Sequence, residues 1–304
     1  MPIYALVLTS PPEAPSLSAL AVERAWSLIP GELRRSQSWL SPDEAWQAEF
    51  VTNEIETASN LKVAIAGELN GLTIDINVLT GDAQTRRKKL LVADMDSTII
   101  RQECIDEIAD FAGVKDVVSA ITERAMRGEL DFAGALRERV SLLRGLPVGD
   151  LQRVVDERLQ LMPGARTLVA TMKTHGAYCA LVSGGFTFFT SRIAEAVGFN
   201  NHFANTLETA DGRLTGRVVE PILGREAKLA ALQALATERG LQGPETLAVG
   251  DGANDLAMVK AAGLGVAYRA KPLVAAEADA AIIHGDLTAL LYLQGYRRSE
   301  FVNA

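Results

Sequence analysis

At 304 residues, 48% of them apolar, the chain is long enough for two domains, or for one with a large insertion, and can bury a sizeable core. Thirty basic against 38 acidic residues leave a net charge of −8, which excludes the broad cationic face that a nucleic-acid backbone requires. Two cysteines without framework spacing (Cys104 and Cys179) and three scattered histidines (His175, His202 and His284) exclude a disulfide scaffold and a zinc cluster.

The opening MPIYALVLTSPPEAPS lacks the basic start and long apolar stretch of a signal peptide. No apolar run approaches the ~20 residues of a membrane span, so no membrane association and a cytoplasmic location are expected. Residues 3–9 then read as a strand. Residues 16–29 have helical periodicity with Ser16 as the expected N-cap. A hairpin is expected within 36–52, a second helix over the stretch containing Lys62 to Leu69, and an alternating strand over 72–80. Residues 1–80 thus predict a small α+β domain of order βαββαβ.

The polar run GDAQTRRKK (81–89) reads as a solvated linker feeding a buried strand. Lys89 lies five residues before Asp94, roughly 16 Å along an extended strand at ~3.3 Å per residue, too far to serve a site at the strand's end. The expectation follows that residues 90–304 form a separable unit, and that a chain beginning near Gly81 keeps its chemistry.

From residue 90 the pattern is α/β. LLVAD (90–94), AYCALVS (177–183), TLAVGD (246–251) and LGVAY (264–268) are short and apolar, as buried parallel strands are. Helical segments at 164–176 and 226–240 separate some of them. Between the first two strands lie some eighty residues, more than one crossover needs. The mostly helical stretch 101–162 therefore reads as an inserted cap.

Three strand ends carry candidate chemistry. In LLVADMDST, Asp94 and Asp96 are two apart and share a face at a strand's carboxyl end, where open α/β sheets bind ligands. Such a pair suits phosphate-ester hydrolysis, with Asp94 as nucleophile and Asp96 as general acid and base. GDGANDLAM (250–258) adds Asp251, Asn254 and Asp255 at a second strand end. Carboxylate attack on an anionic phosphate needs a hard, oxygen-liganded cation, Mg²⁺. Its expected ligands are Asp94, Asp251 and the backbone carbonyl of Asp96. Asp255 either binds the metal or orients its water. At the third end, Ser183, Gly184 and Gly185 offer a hydroxyl and unencumbered N–H groups to a phosphoryl oxygen. Lys228 falls in the first turn of a helix, where a cation opposes the helix dipole unless an anion sits beside it.

Together these segments, over about residues 90–295, resemble the haloacid dehalogenase-like phosphohydrolase superfamily. The resemblance implies a Rossmann-like parallel sheet with a helical cap. It also implies Asp94 as nucleophile, Asp96 as acid/base, Ser183 and Lys228 as phosphoryl ligands, and Asp251 as a Mg²⁺ ligand. The cap is similar to that of the phosphoserine phosphatases within that family. There an acidic residue and an arginine grip the amino acid, at positions matching Glu103 and Arg139, and Met126 and Phe132 match positions that cover it. On the residues alone Glu103 and Arg139 are ordinary charged helix surface. A substrate with an ammonium and a carboxylate gives the pair a reason.

The resemblance thus implies release of phosphate from O-phospho-L-serine, the last step of serine biosynthesis. Two other readings keep the chemistry: a phosphatase for phosphothreonine or another small phosphomonoester, and a phosphotransferase. A non-catalytic amino-acid sensor conflicts with the intact set of site residues. Residues 1–80 bear a fainter resemblance to ACT-like modules, which bind amino acids or pair subunits. Besides the small-molecule substrate, a second copy of the chain in a homodimer is the expected partner.

Overall fold

The structure, a computed structural model, describes residues 1–126 and 129–303, with the side chains of Ile55 and Met126 outside the described set. The first unit runs β1 (Ile3–Thr9), α1 (Ala19–Leu28), β2 (Arg34–Ser41), β3 (Ala45–Val51), α2 (Ile55–Glu68) and β4 (Asp75–Thr80). The strands form an antiparallel sheet of order β2-β3-β1-β4. Ser18, not Ser16, caps α1, its side chain accepting from the Ala21 N–H at 3.2 Å. Two serines two residues apart offer the same capping chemistry, and the backbone turn selects the second.

The second unit begins with β5 (Leu90–Asp94) and continues through four helices, α3 (Cys104–Phe111), α4 (Lys115–Met126), α5 (Phe132–Ser141) and α6 (Val148–Glu157). Then follow α7 (Ala165–Thr174), β6 (Tyr178–Phe186), α8 (Thr187–Val197), β7 (Asn201–Ala210), β8 (Arg213–Val219), α9 (Arg225–Glu238) and β9 (Thr246–Gly250). The chain ends in α10 (Leu256–Ala261), β10 (Leu264–Tyr268), α11 (Pro272–Glu277), β11 (Ala280–Ile282) and α12 (Ala289–Leu293). Seven strands order as β11-β10-β9-β5-β6-β7-β8, parallel except for β8. Strand β5 lies between β6 and β9, so the chain leaves it to one side and later returns to the other. That reversal opens a crevice beyond the carboxyl ends of β5, β6 and β9.

The β7–β8 hairpin, which the strand pattern does not announce, props the cap. Leu214 pairs with residues 145–146, its carbonyl accepting from Gly145 N at 2.8 Å and its N–H donating to Leu146 O at 2.9 Å, and the Val148 N–H reaches Gly212 O at 2.9 Å. The cap's two connections to the core lie together, with Arg101 N donating to Gln160 O and Met162 N to Ile99 O.

The first sheet is covered on both faces. Leu6, Leu8, Trp46 and Phe50 pack under α1 and α2. Ala5, Val7, Leu40, Ala45 and Leu79 face the other way and join the main core with Leu287, Leu290 and Leu291, where α12 meets β1. Burial on both faces is why IYALVLT reads as an unbroken apolar run. Edge strand β4 docks on β11, the Asn77 amide bridging Ala281 O at 3.0 Å and Ala281 N at 2.9 Å.

These contacts correct the reading of residues 81–89 as a solvated linker. Arg86 is 2% exposed, its guanidinium donating to Leu293 O and to Gln47 Oε1, both at 2.5 Å. Burial lowers its pKa to about 10, against the pull of Glu49 and Asp82. Lys88 is buried too, and its ammonium reaches Pro244 O at 2.7 Å. Alternate residues of the basic run thus enter the interface, while Lys89 stays exposed. The ground for expecting an independent downstream unit is removed. Of the surfaces that could pair two copies through this sheet, both faces and the β4 edge are taken, leaving the edge of β2.

Removing residues 1–80 should therefore expose the apolar side of α12 and β11. A chain starting at Gly81 is expected to aggregate, or to melt at least about 10 °C below the full chain. Light scattering and a circular-dichroism melt check this; a monomer melting with the full chain would show that the interface is dispensable.

Candidate active site

Strand β5 is buried along its whole length and delivers Asp94 at its carboxyl end, where the chain turns sharply through Asp96 and Ser97. Asp94 Oδ1 accepts from the Met95 N–H at 2.8 Å and lies 2.6 Å from Lys228 Nζ. Met95 itself is fully buried and packs. Asp96 is anchored at both oxygens: Oδ1 accepts from Cys104 N at 2.9 Å, and Oδ2 from the Ser183 hydroxyl at 2.9 Å.

Ser183 and the two glycines close β6. The Gly185 N–H donates to Ser183 Oγ at 2.8 Å. A Cβ at Gly185 would stand 3.0 Å from Ser183 Oγ and 3.3 Å from Asp96 Oδ2. Glycine here keeps the approach to both polar groups open.

Lys228 lies in the first turn of α9 and is 2% exposed. Its ammonium sits between Asp94 and Asp255, 2.5 Å from Asp255 Oδ1. Asp255, fully buried, accepts at its other oxygen from the Gly252 N–H at 3.0 Å. The two carboxylates explain how a lysine is tolerated at a helix N-terminus. Burial alone would lower its pKa, but Asp94 and Asp255 outweigh burial and raise it.

One carboxylate oxygen each of Asp94, Asp251 and Asp255 lies within 4.8 Å of the others. Burial first, and Asp255 second, push Asp94 well above the usual carboxylate range, with Lys228 opposing. The same two causes raise Asp251 to about 6. The directions pull against each other, since Lys228 stays charged through ionised neighbours. One ammonium among three carboxylates leaves the cluster short of positive charge, and a divalent cation would supply it. An all-oxygen donor set suits a hard cation, so the residues present fit a metal site. The carboxylate of Asp96 is engaged elsewhere and stands outside this cluster.

Facing these groups is a cavity of about 390 Å³ roofed by the cap. It is lined by Asp94, Asp96, Glu103, Phe132, Arg139, Gly184, Gly185, Lys228, Asp251 and Asn254, among others. Of the residues singled out from sequence, Ser183 and Asp255 stand just behind this lining, and the side chain of Met126 lies outside the described residues. Phe132 covers Gly184, with Cζ 3.2 Å from where a Cβ would be. Arg139 donates through Nε to Ala135 O at 3.2 Å and through Nη1 to Thr122 Oγ1 at 3.4 Å. Burial lowers its pKa, against the charges of Asp106 and Glu103. Thr122, Asp106 and Lys271, none of them anticipated, also line the cavity. No local motif marks them: the cap brings in Thr122 and Asp106, and the bond from the Lys271 N–H to Asp251 O on the core brings in Lys271.

Residues 91–260 match the family described as haloacid dehalogenase-like hydrolase. The chain belongs to that family. It is 48% identical over 223 residues to the phosphoserine phosphatase of Polaromonas sp., an alignment spanning 72% of this chain and 94% of that one. To the phosphoserine phosphatase of Streptomyces coelicolor it is 45% identical over 83% of its own length, spanning 61% of that longer chain. The crystal structure of a probable phosphoserine phosphatase from Vibrio cholerae superposes with a TM-score of 0.75 at 35% identity, covering 96% of this chain and 86% of that one. That superposition includes the antiparallel sheet as well as the seven-stranded one.

Glu103 supplies a pH test. Its carboxylate accepts from the Ser97 hydroxyl at 2.7 Å, yet partial desolvation by the surrounding protein and the charge of Asp96 raise its pKa from 4.5 to about 7. Glu103 keeps solvent contact through the cavity, which tempers the effect. A raised acid pKa means that the folded state holds the proton longer, so stability is lost as pH rises from about 4.5 to about 7. Glu103→Gln should therefore melt above wild type at pH 8 and together with it below about pH 4.5. Thermal unfolding across pH checks this; a variant that melts lower at pH 8 would show the Ser97 hydrogen bond to dominate.

Proposed function

We propose that this chain is a phosphoserine phosphatase, hydrolysing O-phospho-L-serine to L-serine and phosphate through a phosphoaspartyl intermediate on Asp94. The observation that carries the reading is that Glu103 and Arg139 line the same cavity as Asp94, Asp96 and Lys228. An anion and a cation under the cap match the ammonium and carboxylate of a phosphoamino acid, and the strand ends match its phosphate. The curated relatives of the same family carry that activity in their names.

Asp94 Oδ1 is occupied by the Met95 N–H and Lys228, so attack on phosphorus falls to Oδ2. Lys228 holds the nucleophile in line and offsets charge on the phosphoryl oxygens, with the Gly184 N–H as a further donor; the Ser183 hydroxyl and the Gly185 N–H join once substrate draws them from Asp96 Oδ2 and Ser183 Oγ. Asp96 gives a proton to the departing serine oxygen and later takes one from the water that cleaves the acyl phosphate. The Cys104 N–H fixes one carboxyl oxygen through both transfers, and the other, which Ser183 holds in the free protein, carries the proton. Asp94, Asp251 and the backbone carbonyl of Asp96 would hold Mg²⁺, which would supply positive charge between the anionic nucleophile and the anionic ester. Asp255 has both oxygens engaged and steadies Lys228 from behind. Asn254 lines the same cavity and is a candidate ligand for the phosphate. Phe132 screens the reacting groups from water.

Asp94→Asn should reduce turnover by about four orders of magnitude or more with the fold intact. Acid quenching with labelled substrate should leave phosphate on wild type and none on the variant. Substantial residual turnover would remove the covalent assignment.

Arg139→Ala and Glu103→Gln should mainly damage recognition. For phosphoserine the expected loss is about 2–4 kcal/mol in kcat/KM, since a substrate charge is left unpaired. Hydrolysis of p-nitrophenyl phosphate, which lacks the amino-acid groups, should fall much less. Equal losses on both esters would mean that the two residues only support the cap.

A further inference from the structure

Asp75 opens β4 in the first sheet and is 3% exposed. Its carboxylate accepts backbone N–H groups from three consecutive residues of the loop after β11. Ile283 N lies 2.8 Å from Oδ1, His284 N is shared between Oδ1 and Oδ2 at 3.1 and 3.2 Å, and Gly285 N lies 2.9 Å from Oδ2. The acceptor thus stands some 210 residues upstream of the loop that it organises.

That loop touches the catalytic unit in two directions. Toward the metal cluster, Arg269 N donates to Ile282 O at 2.8 Å and its guanidinium to Gly285 O at 3.2 Å. Arg269 is held at a φ of 46°, a conformation that a non-glycine residue keeps only when its surroundings fix it. Two residues on, the Lys271 N–H donates to Asp251 O at 3.2 Å, and Lys271 lines the cavity. Toward the cap, Leu287 N donates to Pro163 O at 3.1 Å. Gly164, with φ of 81°, fits so closely that a Cβ would stand 2.7 Å from Thr288 N. Residues 160–164 are the returning base of the cap, where Gln160 and Met162 pair with Arg101 and Ile99.

We propose that Asp75 is a positioning residue for the reaction: by holding residues 283–285 it sets both the 269–271 turn behind Asp251 and the base on which the cap closes. It touches no substrate. The first domain then contributes to turnover through one carboxylate, whether or not it binds any effector. The assay rests on the phosphoserine reading above, but the structural half of the test does not.

The test compares full-length wild type, Asp75→Asn and Gly285→Ala by amide hydrogen exchange and by kinetics per folded enzyme. The amide of Asp75→Asn replaces an acceptor with a donor that faces donors. Gly285→Ala presses a methyl to 3.3 Å from Asp75 Oδ2 and 3.2 Å from the Ala289 methyl. In Asp75→Asn, exchange should quicken at 160–164 and 269–271 while β1 and β3 keep their protection. Its kcat should fall about tenfold on both phosphoserine and p-nitrophenyl phosphate, with KM moving less than about threefold. Gly285→Ala should shift both readouts the same way, with kcat down by about threefold, and it decides the matter if Asp75→Asn does not fold. Wild-type kcat in a variant whose 283–288 exchange has changed would overturn the proposal, as would exchange that quickens evenly over the whole chain. Failure of wild type on phosphoserine would instead strike the substrate reading, and p-nitrophenyl phosphate with exchange would still judge Asp75.

Discussion

A single buried ammonium organises the catalytic end of the sheet. Lys228 stands between Asp94 on β5 and Asp255 after β9, drawing together strands that would otherwise present like charges to each other. Removing one partner of such a buried pair typically costs about 3–5 kcal/mol, because the remaining charge is stranded in low dielectric. The same arrangement leaves the cluster one or more positive charges short. A site built in this way is stable only as a compromise, and ligands of the right sign relieve it. Stability and catalysis therefore draw on the same few atoms.

The second constraint is geometric. The crevice exists because the chain leaves β5 on one side and returns on the other, but the cap above it needs a floor and a hinge of its own. The β7–β8 hairpin supplies the floor, through backbone hydrogen bonds to residues 145–148. The hinge is seated on the loop before α12, which in turn is held from the first domain. The two domains differ in fold class yet share one apolar core, with Ala5, Val7 and Leu79 contributing to it.

The grouping of the candidate site was legible in the sequence because its parts are local. Asp94 and Asp96, Ser183 with its glycines, and Asp251 with Asp255 each end a short apolar strand, and the order of such strands implies a shared edge. The order βαββαβ of residues 1–80 was legible for the same reason, from alternation and periodicity. What stayed hidden depends on contacts between distant segments. Arg86 looks like any solvated arginine until Gln47 and Leu293 are beside it. Asp75 looks like the polar start of a strand until residues 283–285 arrive. The hairpin at 201–219 was obscured because its outer strand is largely exposed and polar, with no apolar run to betray it. Thr122 and Asp106 belong to the site only because the cap folds over it, and Lys271 because the turn after β10 reaches Asp251.

Docking β4 against β11 also bears on how the molecule is made. Residues 1–80 are synthesised before the catalytic unit, and with α1 and α2 they can cover one face of their sheet at once. The other face, with Ala5, Val7, Leu40, Ala45 and Leu79, finds its cover only when Leu287, Leu290 and Leu291 emerge, roughly 200 residues later. Contacts of such long sequence separation form late and slowly. During that interval the nascent chain carries an apolar sheet face in water, the kind of surface on which aggregation begins. A chaperone that shields this face until α12 appears would act on the yield of the protein without ever touching its active site.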